Sequence, residues 1–319
     1  MNRILVLTSG GDSSGMNAYL KSLAKLCKNN NVELLASLYG FQGLIDNNIV
    51  TLDFDQMNYI ENLGGSIIKS SRCFDFMKEE GFNKALETIK KLNIDCIVVV
   101  GGNGSFKGAN DLSNAGINVI AIPGTVDNDL AYSDLSLGFD TACKSAVDLI
   151  NITRQTMETF DRGFIVEVMG RDCADIALYT SIITNADLCI TDEMNFETIC
   201  DEVRKIINSG ISSPLIVVKE YLMDIDLIAS KLEKCTSKTF RAIKVGYAQR
   251  GGEPSNADKM FAIQLACATI QNIKIKNFGV AIGKVNEKIV SKDLNSVTNQ
   301  KRSYSNHFME LYKEYFSKK

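Results

Sequence analysis

Residues 98–108 read V-V-V-G-G-N-G-S-F-K-G. Three consecutive valines end in four glycines spread around Asn103, Ser105 and Lys107. An unbroken β-branched run with no polar alternation marks a strand covered on both faces. The glycines after it let backbone amides approach a ligand closely, so the stretch reads as a buried strand opening into a phosphate-binding loop. It lacks the Gly-Lys-Ser/Thr of a P-loop, and it has one residue too many before its last glycine for a dinucleotide fingerprint. Its centre is also unusual, because a metal-dependent phosphoryl-transfer site is expected to hold a carboxylate where neutral Asn103 stands.

The same unit recurs along the chain. Ile4–Leu7 leads into Thr8-Ser9-Gly10-Gly11, Ile97–Val100 into Gly101-Gly102, and Val119–Ile122 into Pro123-Gly124. Phe164–Val168 leads into Met169-Gly170-Arg171, and Leu215–Val218 into Lys219-Glu220. Helical spacing appears between them, at Met16, Leu20, Leu23 and Cys27 and again at Phe82, Leu86 and Ile89, with lysines on the opposite side. This alternation predicts an α/β fold of doubly wound, Rossmann-like parallel sheets. At 319 residues and 45% hydrophobic, the chain exceeds what one core usually fills, so two domains are expected. Only three prolines occur and no linker stands out. The boundary is placed near Gly138, before a long helical pattern at residues 141–160. In such sheets ligands sit at the carboxyl ends of the strands, where all the loops named above are expected to converge.

Composition excludes several classes. A formal charge of −3 gives no basic field for nucleic acid. The nine cysteines are scattered and never form C-x-x-C, which supports neither a disulfide framework nor a thiolate zinc site and fits a reducing cytoplasm. The apolar run at the start is too short for a signal-peptide core, and nothing approaches a membrane span. The one histidine, His307, lies near the C-terminus and is expected on a surface helix. Any general base is therefore expected to be Asp or Glu.

Gly10 to Asn17 (G-G-D-S-S-G-M-N) joins a strand to a helix start. It reads either as an ordinary βα turn, with Asp12 or a serine as N-cap, or as an anion site at the helix end. Pro123 to Asp129 (P-G-T-V-D-N-D) is more informative. As a functional loop it offers one carboxylate to accept a hydroxyl proton and another to hold Mg²⁺; as a structural one it is a polar turn. Arg72, Arg162, Arg171, Arg241 and Arg250 lie beside glycines or at strand edges, positions suited to clamping an anionic substrate.

Taken together, L-T-S-G-G-D-S-S-G-M-N, G-G-N-G-S, P-G-T-V-D-N-D, V-E-V-M-G-R, the strand end at Glu220 and G-Y-A-Q-R-G-G resemble the bacterial-type 6-phosphofructokinases over nearly the whole chain. The resemblance implies two α/β domains of that family's type. One is a nucleotide-binding domain of residues 1–138 plus about 250–300. The other is a sugar-phosphate-binding domain of 139–249 plus about 301–319. It implies phosphoryl transfer from ATP to the 1-hydroxyl of fructose 6-phosphate, with Asp127 as base, Thr125 beside the transferred group, Asp129 near Mg²⁺ and Arg171 stabilising transition-state charge. Gly11, Arg72, Cys73, Gly102, Asn103, Gly104, Ser105 and Gly108 match the nucleotide site. Arg162, Met169, Gly170, Glu220, Arg241, Tyr247 and Arg250 match the sugar-phosphate site. Residues aligned with Arg162 and Arg241 reach across a subunit interface in the family, which implies a homotetramer with shared active sites. Pyrophosphate-using relatives carry Asp and Lys where this chain has Gly104 and Gly124, so ATP is the expected donor.

The chain departs from the family pattern at four places. Asn103 replaces a magnesium-associated Asp, leaving a carbonyl oxygen as a weak candidate ligand and predicting looser metal binding. Tyr247 replaces a substrate-contacting His, which predicts an altered sugar-phosphate affinity. Cys73 replaces an aromatic residue beside the nucleotide base and reads as an inert small hydrophobe. At the regulatory site Lys21, Lys25, Arg154 and Asp187 keep their charges. Phe54 replaces an Arg there, and residues 207–215 lack the expected lysines, so ADP activation and phosphoenolpyruvate inhibition are expected to be weak or absent. The alternative reading is a catalytically weakened paralogue serving as a nucleotide- or sugar-phosphate-binding regulatory subunit, and a dehydrogenase is disfavoured by the glycine spacing.

Overall fold

The computed structural model describes residues 2–298, Gln300 and 302–316. Along the chain the strands are β1 (Arg3–Ser9), β2 (Glu33–Ser37), β3 (Ile49–Thr51), β4 (Cys96–Gly101), β5 (Val119–Pro123) and β6 (Gly163–Val168). They continue with β7 (Leu188–Ile190), β8 (Leu215–Lys219), β9 (Phe240–Lys244), β10 (Val280–Val285) and β11 (Lys288–Asp293). The chain forms two compact units, one of Met1–Thr141 and Arg250–Lys301, the other of Ala142–Gln249 and Arg302–Lys319.

The first unit holds a seven-stranded sheet in the order β11-β10-β5-β4-β1-β2-β3. Its pairings are parallel except at the two edges, where β10–β11 and β2–β3 are antiparallel. β4 is the middle strand, and all six of its residues are buried. One face buries Ile4, Val6, Val98, Val100, Ile120 and Ile122 under residues of the helices Met16–Asn29 and Asn256–Lys274. The other buries Leu5, Leu7, Ile97, Val99, Val119 and Ala121 under the helices Glu79–Lys91 and Asn103–Asn114. Successive strand residues therefore enter opposite cores, which is why the run of valines carries no polar alternation.

The second unit holds a parallel four-stranded sheet, β7-β8-β6-β9. Ile165, Ile216 and Val218 are buried with Ile199 and Val203 of the helix Phe196–Asn208 and Ile228 and Leu232 of Ile225–Thr236. These two helices also carry a Cys200–Cys235 disulfide, with the two Cα atoms 6.7 Å apart. That corrects the expectation of unpaired cysteines. A separation of 35 residues carries no pairing signal, and only the packing of both helices on one sheet face brings the sulfurs together. Cys27, Cys73, Cys96, Cys143, Cys173, Cys189 and Cys267 are free. His307 lies exposed on the helix Asn306–Phe316. Among the described residues no helix is long and apolar enough to cross a membrane.

Two local expectations change. The glycine-rich stretch after β4 is not an extended loop, because a helix begins at Asn103 with Gly102 at its N-cap and no side-chain cap. The helix after β1 likewise starts behind Gly15, and neither Asp12 nor a serine caps it. Ser14 Oγ instead lies within 3.2–3.3 Å of the carbonyls of Arg250, Gly251 and Gly252.

Asp258, buried in the first unit, fixes the start of the helix Phe139–Thr159. Its carboxylate accepts from the Gly138 amide at 2.8 Å, the Thr141 amide at 2.9 Å and the Thr141 hydroxyl at 2.6 Å. Burial pushes its pKa from 3.8 up to about 6, against the lowering effect of those bonds. The folded state therefore binds this proton more tightly than the unfolded one, and its contribution to stability, on the order of 3 kcal/mol, is lost as pH rises through that window. Thermal unfolding of the native chain and Asp258→Asn, compared between pH 4 and 7, checks this. The stability of the native chain relative to the variant should fall as pH rises through about 6, and a constant difference would contradict it.

Candidate active site

Pairing sets three strand ends of the first unit level, with Ser9 opposite Gly101 and Gly101 opposite Pro123. The loop after β1 is held to the segment carrying Arg72, because Ser70 Oγ donates to the Gly10 carbonyl at 2.8 Å and the Gly10 amide donates to Ser71 O at 3.3 Å. Arg72 itself is exposed. A Cβ on Gly11 would lie 2.7 Å from Arg250 Nη1, so the glycine admits a guanidinium against the backbone. Ser105, in the first turn after β4, is buried and donates to the Ser9 carbonyl at 3.0 Å, tying the two loops together. Gly102 lies beside Thr125, and Gly104 faces open space. Gly108 does not: a Cβ there would meet the Phe41 ring at 2.9 Å, so a glycine is needed for the packing of this helix on Phe41. Cys73 Sγ lies 3.1 Å from Gln42 Oε1, and burial raises its thiol pKa, as suits an inert residue.

The loop after β5 is braced throughout. Gly124 N donates to Gly101 O at 3.0 Å and Leu137 N to Pro123 O at 2.7 Å. Ser136 Oγ donates to Thr125 O at 2.6 Å, and Thr125 Oγ1 accepts from the Asp127 amide at 3.3 Å. Asn128 adopts φ 53°, a left-handed conformation that Asn tolerates, and its Nδ2 donates to Asp134 O at 3.1 Å. Gly138 (φ 103°) sits where any Cβ would strike Ser13 at 2.5 Å, so this loop closes onto the loop after β1. Asp127 and Asp129 thus flank a pinned residue and are 9% and 6% exposed. Asn103 Nδ2 donates to Asp129 Oδ2 at 2.7 Å. The neutral residue at the centre of the opening stretch is a hydrogen-bond donor to the acidic loop.

Among the described residues no cluster of three or more His, Cys, Asp or Glu could hold a metal. Two carboxylates at one strand end still fit Mg²⁺, which is usually held by one or two carboxylates together with substrate phosphates and water.

In the second unit the turn after β6 is built as firmly. Met169 N donates to Gln249 Oε1 at 2.8 Å, and Cys173 N to Gly170 O at 2.7 Å. Arg171 is exposed with φ 49°, and its amide donates to Glu220 Oε1 at 3.0 Å, so Glu220 fixes the backbone from which the guanidinium projects. Arg162 stacks 4.6 Å over the Phe160 ring. Arg241, on the edge strand β9, pairs with Glu233 at 3.2 Å. Tyr247 is exposed on the turn Gly246–Gln249.

The charges of the expected regulatory site are divided between the units. Lys21 pairs with Glu61 at 2.6 Å, and Lys25 lies exposed on the same helix. Arg154 donates to Thr184 O at 2.8 Å, and Asp187 accepts from the Leu215 amide at 2.8 Å. Burial raises the Asp187 pKa, with the Leu215 bond and Arg154 opposing it. Phe54 packs half-buried against the first core.

The family model described as Phosphofructokinase matches residues 3–273. The chain belongs to the phosphofructokinase family. It is 37% identical over 315 residues to the ATP-dependent 6-phosphofructokinase of Paenibacillus macquariensis, covering 98% of this chain and 97% of that one. It is also 37% identical to the enzyme of that name from Lactobacillus delbrueckii subsp. bulgaricus, over 92% and 93% of the two chains. In fold it is similar to the phosphofructokinase of Saccharomyces cerevisiae, with a TM-score of 0.87 at 22% identity. That match covers 99% of this chain and spans half the length of the yeast one. The pyrophosphate-dependent phosphofructokinase of Nitrosospira multiformis gives a TM-score of 0.87 at 18% identity, over 98% and 90% of the chains.

Four supporting residues carry no sequence signal of their own: Asn128, Ser136, Gln249 and Asp258. The signal available for three of them was adjacency, since Asn128 lies within P-G-T-V-D-N-D, Ser136 follows that loop and Gln249 lies within G-Y-A-Q-R-G-G. Gln249 is fully buried, and its Nε2 also donates to Ala142 O at 3.3 Å. Gln249→Leu keeps much of the volume but strands a buried amide and a buried carbonyl, so it should cost about 3 kcal/mol in urea unfolding. A loss below about 0.5 kcal/mol would show that neither bond matters.

Proposed function

We propose that this chain transfers the terminal phosphoryl group of ATP to the 1-hydroxyl of fructose 6-phosphate, giving fructose 1,6-bisphosphate and ADP. The observation that carries the proposal is 37% identity across 98% of the chain to a relative named for that reaction. The site chemistry supports the reading. Asp127 accepts the proton of the attacking hydroxyl, the role a carboxylate must fill in a chain with one remote histidine. Thr125 lies beside the transferred group, Arg171 offsets charge growing on it, and the uncapped helix starts at Gly15 and Gly102 offer amides to the nucleotide phosphates. Arg72 and Gly11 belong to the nucleotide side; Arg162, Met169, Gly170, Glu220, Arg241, Tyr247 and Arg250 belong to the sugar-phosphate side.

Asp129, with Asn103 beside it, would hold Mg²⁺, which when bound neutralises phosphate charge. Donor choice follows from Gly104, where open space leaves room for the nucleotide that an aspartate side chain would crowd. The first unit is proposed as the nucleotide domain and the second as the sugar-phosphate domain. A homotetramer and a cytoplasmic location complete the proposal, both substrates being charged metabolites.

A coupled assay for fructose 1,6-bisphosphate with ATP, GTP or pyrophosphate as donor tests the reading, with ATP expected to dominate. Asp127→Asn should lower kcat by roughly 10²–10⁴-fold with little change in the KM for ATP. Retention of most of the turnover would remove Asp127 from the role of base.

Asn103→Asp replaces a donor to Asp129 with a like charge. Without Mg²⁺ the variant should unfold at lower temperature than the native chain. Added Mg²⁺ should then raise its Tm more than that of the native chain, and its half-saturating Mg²⁺ should fall about tenfold. Superimposable Mg²⁺ titrations would count against the assignment.

A further inference from the structure

The turn that carries Arg171 is fastened by a part of the chain that no motif singles out. The Ala174 amide donates to Ser303 O at 2.7 Å, one residue before the helix Asp175–Thr184. Asp175 is fully buried. Its Oδ1 accepts from the Ser305 amide at 2.6 Å, and Arg302 Nη2 lies 3.4 Å from its Oδ2. A buried carboxylate persists only when it is paired and hydrogen-bonded, and these partners come from residues 302–305. The helix Asn306–Phe316 continues the attachment, with Phe308 edge-on to Tyr179 at 5.8 Å between ring centroids. Arg171 meanwhile holds φ 49°, a conformation that non-glycine residues keep only where their surroundings fix it. Glu220 fixes the turn at Arg171, and residues 302–305 fix it at Ala174 and Asp175.

We infer that Arg302 and Asp175 are positioning residues for Arg171, so that the segment with which the chain re-enters the second unit at Arg302 is part of the apparatus that presents this guanidinium. The inference rests on the reading of Arg171 as the group facing the transferred phosphoryl. A displacement of about 1 Å in such a group costs on the order of a hundredfold in rate. Neither Arg302 nor Asp175 needs to touch substrate for its loss to be felt.

The test uses the full chain with Arg302→Gln, Asp175→Asn and the conservative Arg302→Lys. Amide hydrogen exchange over residues 169–175 should rise in Arg302→Gln and Asp175→Asn, and stay near the native rate in Arg302→Lys. The kcat of Arg302→Gln should fall roughly tenfold to a hundredfold with the KM for ATP unchanged, and Arg302→Lys should recover most of it. In an Arg171→Ala background, Arg302→Gln should have no further effect, because its influence runs through Arg171. Unchanged exchange in the turn, or an equal fold-loss of kcat with and without Arg171, overturns the inference. Should Arg302→Gln fail to fold, Ser305→Pro removes a single donor to Asp175 and is read in the same way. A native chain that makes no fructose 1,6-bisphosphate would refute the proposed activity, whereas the exchange measurement would still decide the positioning.

Discussion

The interaction on which the rest depends is the parallel pairing of β4 with β1 on one side and β5 on the other. β4 is buried along its length, so every backbone amide and carbonyl in it must find a partner in a neighbouring strand. The register that satisfies them sets Ser9, Gly101 and Pro123 at one level. Three loops far apart in sequence therefore leave the sheet together. Shifting β4 by one residue would turn Val98 and Val100 into the core that Val99 occupies and would stagger the loop origins. The small residues at these ends follow from the same closeness: Ser105 reaches back to Ser9 O, and Gly124 N reaches Gly101 O.

Legibility in the sequence followed the apolar runs that open into glycine-rich or charged loops, since β2 (E-L-L-A-S) and β10 (V-A-I-G-K-V) are also largely buried and were not readable. β1, β4, β5 and β8 hold continuous apolar runs because both faces are covered, β6 is broken only by Glu167, and those five strands were readable. β2, β9 and the β10–β11 hairpin were not. β9 is an edge strand, F-R-A-I-K, with two charged residues in five. The hairpin turns at Asn286 and Glu287, both with positive φ, where a glycine would have announced the turn. The site was legible to the extent that its chemistry sits in glycine-rich or acidic motifs. Gln249, Ser136 and Asp258 act by filling the hydrogen-bonding needs of backbone groups, and nothing in their residue types separates them from ordinary polar residues. The disulfide was illegible for a related reason: Cys200 and Cys235 meet through packing, and sequence distance does not encode packing.

The opening stretch bears on how two carboxylates can be buried close together. Asp127 and Asp129 stand on one short loop, and the residue that reaches this loop from the start of the helix after β4 is Asn103. A third carboxylate there would place like charges within hydrogen-bond distance, at a cost of at least about 4 kcal/mol for an effective dielectric near 20 unless a cation stood between them. The amide avoids that repulsion and gives Asp129 a donor of its own. Asn128 and Ser136 act on the backbone in the same way, bracing the loop with neutral groups. Uncharged donors supplied by the fold therefore take part in fixing the geometry of the acidic loop. A cation arriving with nucleotide phosphates would meet an orientation already fixed, with less negative charge to attract it.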